Sequence, residues 1–486
     1  MKNANLISRR SFLSAASLFT AAGGCRSLGF LGGRPRLSFG VVSDIHITTP
    51  ESAAEFEQAL MYFRDRKADA VVVCGDLTDW GLLSGLKNVA AAWNRVFPND
   101  RAPDGRPVQK LFVTGNHDYE GWWYGDMTME MHALGYSEDE ALIRLGLKKC
   151  WEEVFQEEWA PIRRRTVNGY DFISGEWHGH DKAPGFNTLP AWLADNAGTL
   201  DATRPFFYFQ HPPIANTTGD SRRGWGTYKE DGVRRALAAC PNAVSFTGHC
   251  HWTFNDVRSI WQGEFTALAT PSMSYTTIPR GYENGTDVRN GMSHLAMPKI
   301  ASRPNLEEAQ GYFVSVYDTH MLVERRDFEQ GLNVTPWLVP LPAQTEKPFA
   351  FKATEAREIV PQFPAGAALK TYTCNTDTRG NKWAIVMNFE FPTAKGRDWR
   401  AFDYEVRAVL ADGTVALMKR FISPAFHKLA HDEPDQMRFW CNVDELPQDM
   451  PYHFEVFPRN CFGHCGRPLV SGERRGEPGL GKAKRG

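Results

Sequence analysis

The chain has 486 residues, 42% of them apolar and 23% charged, with a formal net charge of -2. That length exceeds one small core and predicts two domains or more. The near-neutral charge excludes a general nucleic-acid binder, which carries a basic excess. No stretch reaches the ~20 uninterrupted apolar residues of a membrane-spanning helix.

In chain order, residues 1–30 read as an export signal and not as part of the fold. Ser8-Arg9-Arg10-Ser11-Phe12-Leu13 resembles the bacterial twin-arginine motif, and a mildly apolar run over 12–22 follows it. That run is too short and too rich in small residues to span as a stable helix. Ala22-Gly23-Gly24-Cys25 is similar to a lipoprotein cleavage box, with Ala22 where Leu is usual. The expected product is a secreted protein, either free in the periplasm or anchored to a membrane as a lipoprotein through an acylated Cys25.

Over 37–335 short β-branched or aromatic runs alternate with helical patterns. Strands are predicted at 37–43, 70–74, 111–114, 206–210, 243–247, 265–269 and 312–317. Helices are predicted at 53–66, with Phe56, Leu60 and Phe63 on one face, and at 138–155. Continuous apolar strands alternating with helices predict an α/β architecture whose sheets are buried under helices.

At Pro336-Trp337-Leu338-Val339-Pro340-Leu341-Pro342 the texture changes, and the prolines predict an extended linker over 336–342. Beyond it, 343–474 reads as strands (382–391, 403–410, 414–422, 452–458) and predicts a β-sandwich. The run from Tyr452 to Asn460, followed by Gly463 and Gly466, resembles the last hairpin of a fibronectin-type-III or immunoglobulin-like module. The tail, 475–486, is rich in Gly, Lys and Arg and reads as disordered. Cys374, Cys441, Cys461 and Cys465 could form one or two bridges in an oxidising compartment.

Five segments carry metal-ligating side chains, each where a predicted strand ends. They are Asp44-Ile45-His46, Gly75-Asp76-Leu77-Thr78-Asp79, Gly115-Asn116-His117-Asp118, His211-Pro212-Pro213 and Gly248-His249-Cys250-His251. In α/β sheets ligands gather outside the carboxyl ends of strands. In Asp44-x-His46 and His249-x-His251 alternation along an extended segment would set both side chains on one face. Gly75, Gly115 and Gly248 would permit the sharp turn that exposes the next residue. Carboxylate, imidazole and amide oxygen together suit Zn, Mn or Fe, with no Cys needed.

In that order the motifs resemble the signature DxH, GDxxD, GNHD, H and GHxH of the calcineurin-like metallophosphoesterase superfamily. Thr78 and the Pro212-Pro213 pair are most similar to its cyclic-nucleotide and glycerophosphodiester phosphodiesterase branch. The resemblance implies a four-layer α-β-β-α sandwich and a dinuclear metal centre of two divalent or trivalent ions. Asp44, His46, Asp76 and His251 would hold one ion and Asp76, Asn116, His211 and His249 the other, with Asp76 bridging. It implies a hydrolase in which water activated by the ions attacks phosphorus. His117 would act at the leaving oxygen, with Asp118 orienting it. The substrate would be a phosphoester, small molecule or polymer, and a diester before a monoester. The rival class is an extracytoplasmic protein with a vestigial metal site that binds a glycan or another partner through its C-terminal module.

Other residues weigh less. Asp79 reads as a hydrogen-bonding residue and not a ligand, and Cys74 and Cys250 as core residues. His178-Gly179-His180-Asp181 reads as an ordinary loop. Trp122 and Tyr124 could wall the substrate pocket, within an insert over 122–202 that shapes it. Tyr275 and Arg280 are further candidate substrate contacts.

Overall fold

The computed structural model describes residues 33–177, 188–222, 232–276, 309–341, 346–377, 383–396, 401–423 and 436–475. The export signal with Cys25, the 178–181 loop, Arg280 and nearly all of the tail lie outside them.

Twelve strands build the first domain: β1 (Leu37–Val42), β2 (Ala70–Cys74), β3 (Gln109–Val113), β4 (Ile162–Val167), β5 (Tyr170–Gly175), β6 (Phe206–Gln210), β7 (Ala243–Thr247), β8 (Ile260–Gln262), β9 (Thr266–Ala269), β10 (Gln310–Val316), β11 (His320–Asp327) and β12 (Leu332–Pro340). They form two six-stranded mixed sheets, in the orders β12-β11-β10-β1-β2-β3 and β4-β5-β6-β7-β9-β8. β1, β2 and β3 run parallel, as do β5, β6, β7 and β9.

The layering follows from which side chains each strand buries on each face. Val41, Val72 and Leu111 from one sheet meet Phe172, Phe209 and Leu268 from the other in a shared core. Phe39 makes edge contacts there with Phe172, Phe207 and Phe246 at ring separations of 5.1, 4.9 and 5.9 Å. Alternate residues face outward. Val71 and Val73 pack under the helix Ala54–Asp65 through Phe56, Leu60 and Phe63. Tyr208 and Ala267 pack under the helices Leu189–Asn196 and Gly232–Ala238. The order is therefore helix, sheet, sheet, helix. Strands covered on both faces must be apolar throughout, which is why β2 reads Ala-Val-Val-Val-Cys.

Residues 336–341 are not a free linker, and Pro342 lies outside the described residues. β12 is the edge strand of the first sheet, with Trp337, Val339 and Leu341 buried. Proline is tolerated on an edge, where no ladder N–H is lost. The predicted helix over 138–155 is interrupted. A 3-10 turn at Glu138–Glu140 and a short helix at Leu142–Leu145 end at Gly146, whose φ of +90° only glycine adopts readily. A second helix runs Leu147–Phe155.

Beyond Phe351–Arg357, a short helix, lie β13 (Lys370–Asp377), β14 (Trp383–Pro392), β15 (Asp403–Leu410), β16 (Val415–Ile422), β17 (Gln436–Asn442), β18 (Pro451–Arg459), β19 (Leu469–Val470) and β20 (Arg474–Arg475). A three-stranded sheet, β13-β14-β17, and a second sheet, β16-β15-β18-β19 with β20 on β18, share one core through residues such as Phe389, Phe391, Tyr404, Phe439 and Phe454. The cysteines here form no bridge: Cys374, Cys441, Cys461 and Cys465 are all free thiols. No described helix is long and apolar enough to cross a membrane.

Candidate metal centre

The carboxyl ends of β1, β2 and β3 meet those of β6 and β7 at one rim. The loops there are tied across the sheets. His46 N donates to the Asp76 carbonyl (3.1 Å), and Gly248 N donates to the His211 carbonyl (2.7 Å). Between sheets, His249 N donates to the Asp44 carboxylate (3.1 Å) and His211 Nδ1 to the Cys74 carbonyl (2.8 Å).

The ligand-bearing backbone is not extended. Among the described residues eleven non-glycine residues have positive φ, and five are Asp44, His46, Asp76, His249 and His251. Side-chain alternation therefore does not explain Asp44-x-His46 or His249-x-His251, since the strands end before them. Each left-handed residue costs about 1–3 kcal/mol and persists only where its surroundings hold it. The glycines also act differently from a turn requirement alone. Gly75 does have φ +92°, but a Cβ on Gly115 would lie 2.2 Å from Asp76 Oδ1 and one on Gly248 1.8 Å from Ser43 Oγ. At those two positions glycine is needed for close approach.

Besides a set formed by His46, Asp79 and His117, two groups of donor atoms gather, Asp44, His46, Asp76 and His251, and Asp76, His211 and His249, each within 4.8 Å of one another. Asp76 belongs to both. Asn116 Oδ1 joins the second, 2.9 Å from His211 Nε2 and 2.7 Å from His249 Nδ1. The hydrogens of these rings are committed elsewhere. His251 Nδ1 donates to the Tyr275 carbonyl (2.9 Å) and His46 Nδ1 to Asp79 Oδ1 (2.8 Å). A carbonyl can only accept, so the tautomer of His251 is set and its Nε2 offers a lone pair.

The Nε2 atoms of His46 and His251 then lie 3.2 Å apart, with Asp44 Oδ1 3.3 Å from the latter. Acceptors crowded on acceptors at a buried point fit a cation, and the mixture of oxygen and nitrogen fits a divalent transition ion. The outer partners are of the kind that orient ligating imidazoles. Burial, then the neighbouring His46, holds His251 well below the usual histidine range and so neutral. Burial opposes charge on His211, but Asp76 outweighs it and raises His211 to about 9. His211 pairs with Asp76 Oδ2 at 3.1 Å.

Two expected roles are exchanged. Among the described residues the Asp118 carboxylate makes no hydrogen bond to the His117 ring. That buried carboxylate accepts from the N–H groups of Leu77 (3.0 Å), Thr78 (2.7 Å) and Gly115 (2.8 Å) and from Thr78 Oγ1 (2.9 Å). It clamps the second motif to the third, because the loop curls its side chain inward. Asp79 is the partner of His117, whose Nδ1 donates to the Asp79 carbonyl (2.8 Å) and lies 3.1 Å from its carboxylate. Burial opposes charge on His117, but Asp76 and Asp79 raise it to about 10.

Trp122 is not a pocket wall. It is 4% exposed and packs with Trp80, Leu82 and Met131, while Trp123 is the exposed neighbour at 48%. Tyr124 lies at the centre, its hydroxyl accepting from Asn116 Nδ2 (2.7 Å) and its ring 4.8 Å from that of His117. Tyr275 stacks on His251 at 4.1 Å. Cys250 and Cys74 are buried, as core residues are.

Sequence reasoning missed Trp177 and Glu176. Trp177 lies 6.0 Å from the rings of both His211 and His249, stacked on the latter. Glu176, fully buried, accepts from Thr114 N (2.8 Å) and Arg163 Nη2 (2.5 Å) and so fixes the approach to Gly115. No local signal marks either residue, because both follow β5 and reach the site only through sheet order.

Residues 37–252 match the family model described as calcineurin-like phosphoesterase. This segment belongs to the calcineurin-like phosphoesterases. A comparison with curated proteins gives no match. Among solved structures, a dimetal phosphatase from Danio rerio is 12% identical with a TM-score of 0.37, over 63% of this chain and 99% of that one. A purple acid phosphatase from Lupinus luteus is 10% identical with a TM-score of 0.38, over 65% and 56%. A protein described as a novel archaeal phosphodiesterase is 11% identical with a TM-score of 0.23, over 62% and 100%. Likeness at these levels carries no argument about substrate. The donor set of this segment fits a dinuclear divalent-metal site.

Proposed function

We propose that the chain hydrolyses phosphodiesters with two divalent ions, one held by Asp44, His46, Asp76 and His251 and the other by Asp76, Asn116, His211 and His249. The observation that carries this is Asp76, shared by two donor groups, with His117 beside them and its backbone N donating to Asp76 Oδ1 at 2.9 Å. Such ions supply Lewis acidity toward a phosphoryl group and a water acidic enough to ionise near neutral pH.

The chain's own residues do the rest. His117, raised to about 10, carries its proton at neutral pH. Its Nδ1 is engaged by Asp79, so Nε2 is the atom that donates to a leaving oxygen. Asp79 orients both His117 and His46 and couples the acid to the donor set. Tyr124 holds the Asn116 amide with its oxygen toward His211 and His249. Trp177 keeps water from the outer side of those two rings.

Thr78 within Gly75–Asp79 and the Pro212-Pro213 pair support diester over monoester, through similarity to the phosphodiesterase branch. The twin-arginine-like Arg9-Arg10 supports export in the same reading. Rates on bis(p-nitrophenyl) phosphate and on p-nitrophenyl phosphate test the substrate class. A higher kcat/KM on the diester is expected, and preference for the monoester overturns it.

A further inference from the structure

The residue after the last imidazole of the centre is gripped by the C-terminal module. Trp252 is 1% exposed and packs with Ala269 of β9 and with Phe402 and Cys461, which belong to the module. Arg258, equally buried, closes the contact. Its guanidinium forks onto Asp256 (Nε 2.9 Å, Nη2 2.6 Å), donates Nη1 to the Cys461 carbonyl (2.6 Å), and lies over the rings of Phe402 (5.0 Å) and Trp252 (5.7 Å). Phe402 N donates to the Arg459 carbonyl (2.8 Å), so Phe402 and Cys461 sit together at one end of the β15–β18 pair.

His251 itself is left-handed, with φ +50°. Its ring Nδ1 donates to the Tyr275 carbonyl, on the side away from the donor set. A strained residue keeps such a conformation only when its neighbours over-determine it. Trp252 is the neighbour in chain, and its ring is enclosed jointly by both domains.

We propose that the C-terminal module is a strut for the His249–His251 loop: Phe402 and Cys461, through Trp252 and Arg258, position His251 toward Asp44 and Asp76 and so set metal affinity. Phe402 and Arg258 are positioning residues. The proposal rests on the metal-centre reading above and gives the module a role inside the enzyme, in place of glycan or partner binding.

The test is Mn(II) titration of the full chain by calorimetry, with thermal melting alongside. Phe402→Ala is compared with Phe421→Ala, which empties a buried position in the module's own core away from Trp252. Phe402→Ala should weaken at least one metal-binding step about tenfold, as loss of an outer support does. Phe421→Ala should lower Tm and leave metal binding as in the parent chain. Should Phe402→Ala not fold, Arg258→Lys removes the fork onto Asp256 and should shift metal affinity in the same direction. Unchanged affinity in the folded variant, or equal loss in Phe421→Ala, overturns the strut. A parent chain that binds no metal overturns the metal-centre reading with it.

Discussion

The Nε2 atoms of His46 and His251 face each other at 3.2 Å, while the Nδ1 of each ring is engaged on its far side by Asp79 and by the Tyr275 carbonyl. Two lone pairs held that close in a buried site repel unless a cation lies between them. Both residues are left-handed, as are Asp44, Asp76 and His249 beside them, which adds strain to the same place. The metal-free protein should therefore melt well below the loaded one. Binding at a hundredfold excess over Kd adds about 2.7 kcal/mol, which thermal melting with and without chelator would register.

The Tyr124 hydroxyl on Asn116 Nδ2 gives a sharper expectation. Tyr124→Phe keeps the ring against His117 but frees the amide to rotate. Metal affinity or kcat should drop about tenfold, with Tm nearly unchanged. Parent-like titration and turnover in this variant would remove Tyr124 from the site.

Asp118 and Asp79 separate by stability and by pH profile. Asp118→Asn turns an amide toward three backbone N–H donors, and should destabilise the chain by about 3 kcal/mol. Asp79→Asn removes negative charge from beside His117, so the ring loses its proton at a lower pH. The alkaline limb of kcat should shift to lower pH, whereas Asp118→Asn should leave that limb in place. The reverse pattern would restore Asp118 as the orienting carboxylate.

The raised histidines predict opposite pH trends for the two metal states. His211 and His117 stand at about 9 and about 10 in the metal-free protein, above the ordinary 6.5. Their contribution to stability is full below 6.5 and is lost as pH rises through those values. Metal-free Tm should fall between pH 7 and 9. Metal affinity should rise over the same range, because a ligating imidazole must shed its proton. Melting curves in chelator and in Mn(II) across that range would show both, and a metal-free Tm rising with pH would contradict the assignment.

Much of this was legible in the sequence, for reasons that also mark where legibility ends. β2, β6 and β7 lie over the runs predicted for them because strands buried on both faces read as apolar runs, and β15 does so because Tyr404, Val406 and Ala408 alternate with Asp403, Glu405 and Arg407. The donor residues were legible because Asp, Asn and His stand where those runs stop. Their backbone was not: alternation presumes an extended chain, and Asp44, His46, His249 and His251 are left-handed. The exchange of Asp79 and Asp118 turns on which way a five-residue helix at Asn116–Glu120 presents its side chains. Trp177 reaches His249 through sheet order, which no local pattern encodes. Pro336 and Pro340 read as a linker because the sequence does not say that β12 lies on an edge.

Asp76 is the residue on which both donor groups depend. Its central role is tested most directly by counting tightly bound ions in the parent chain and in a folded Asp76→Asn variant, by elemental analysis after Mn(II) loading. Two ions per parent chain, and fewer in the variant with hydrolysis abolished, is the expected result. A parent chain holding none, or a variant that keeps both ions and its turnover, would contradict it.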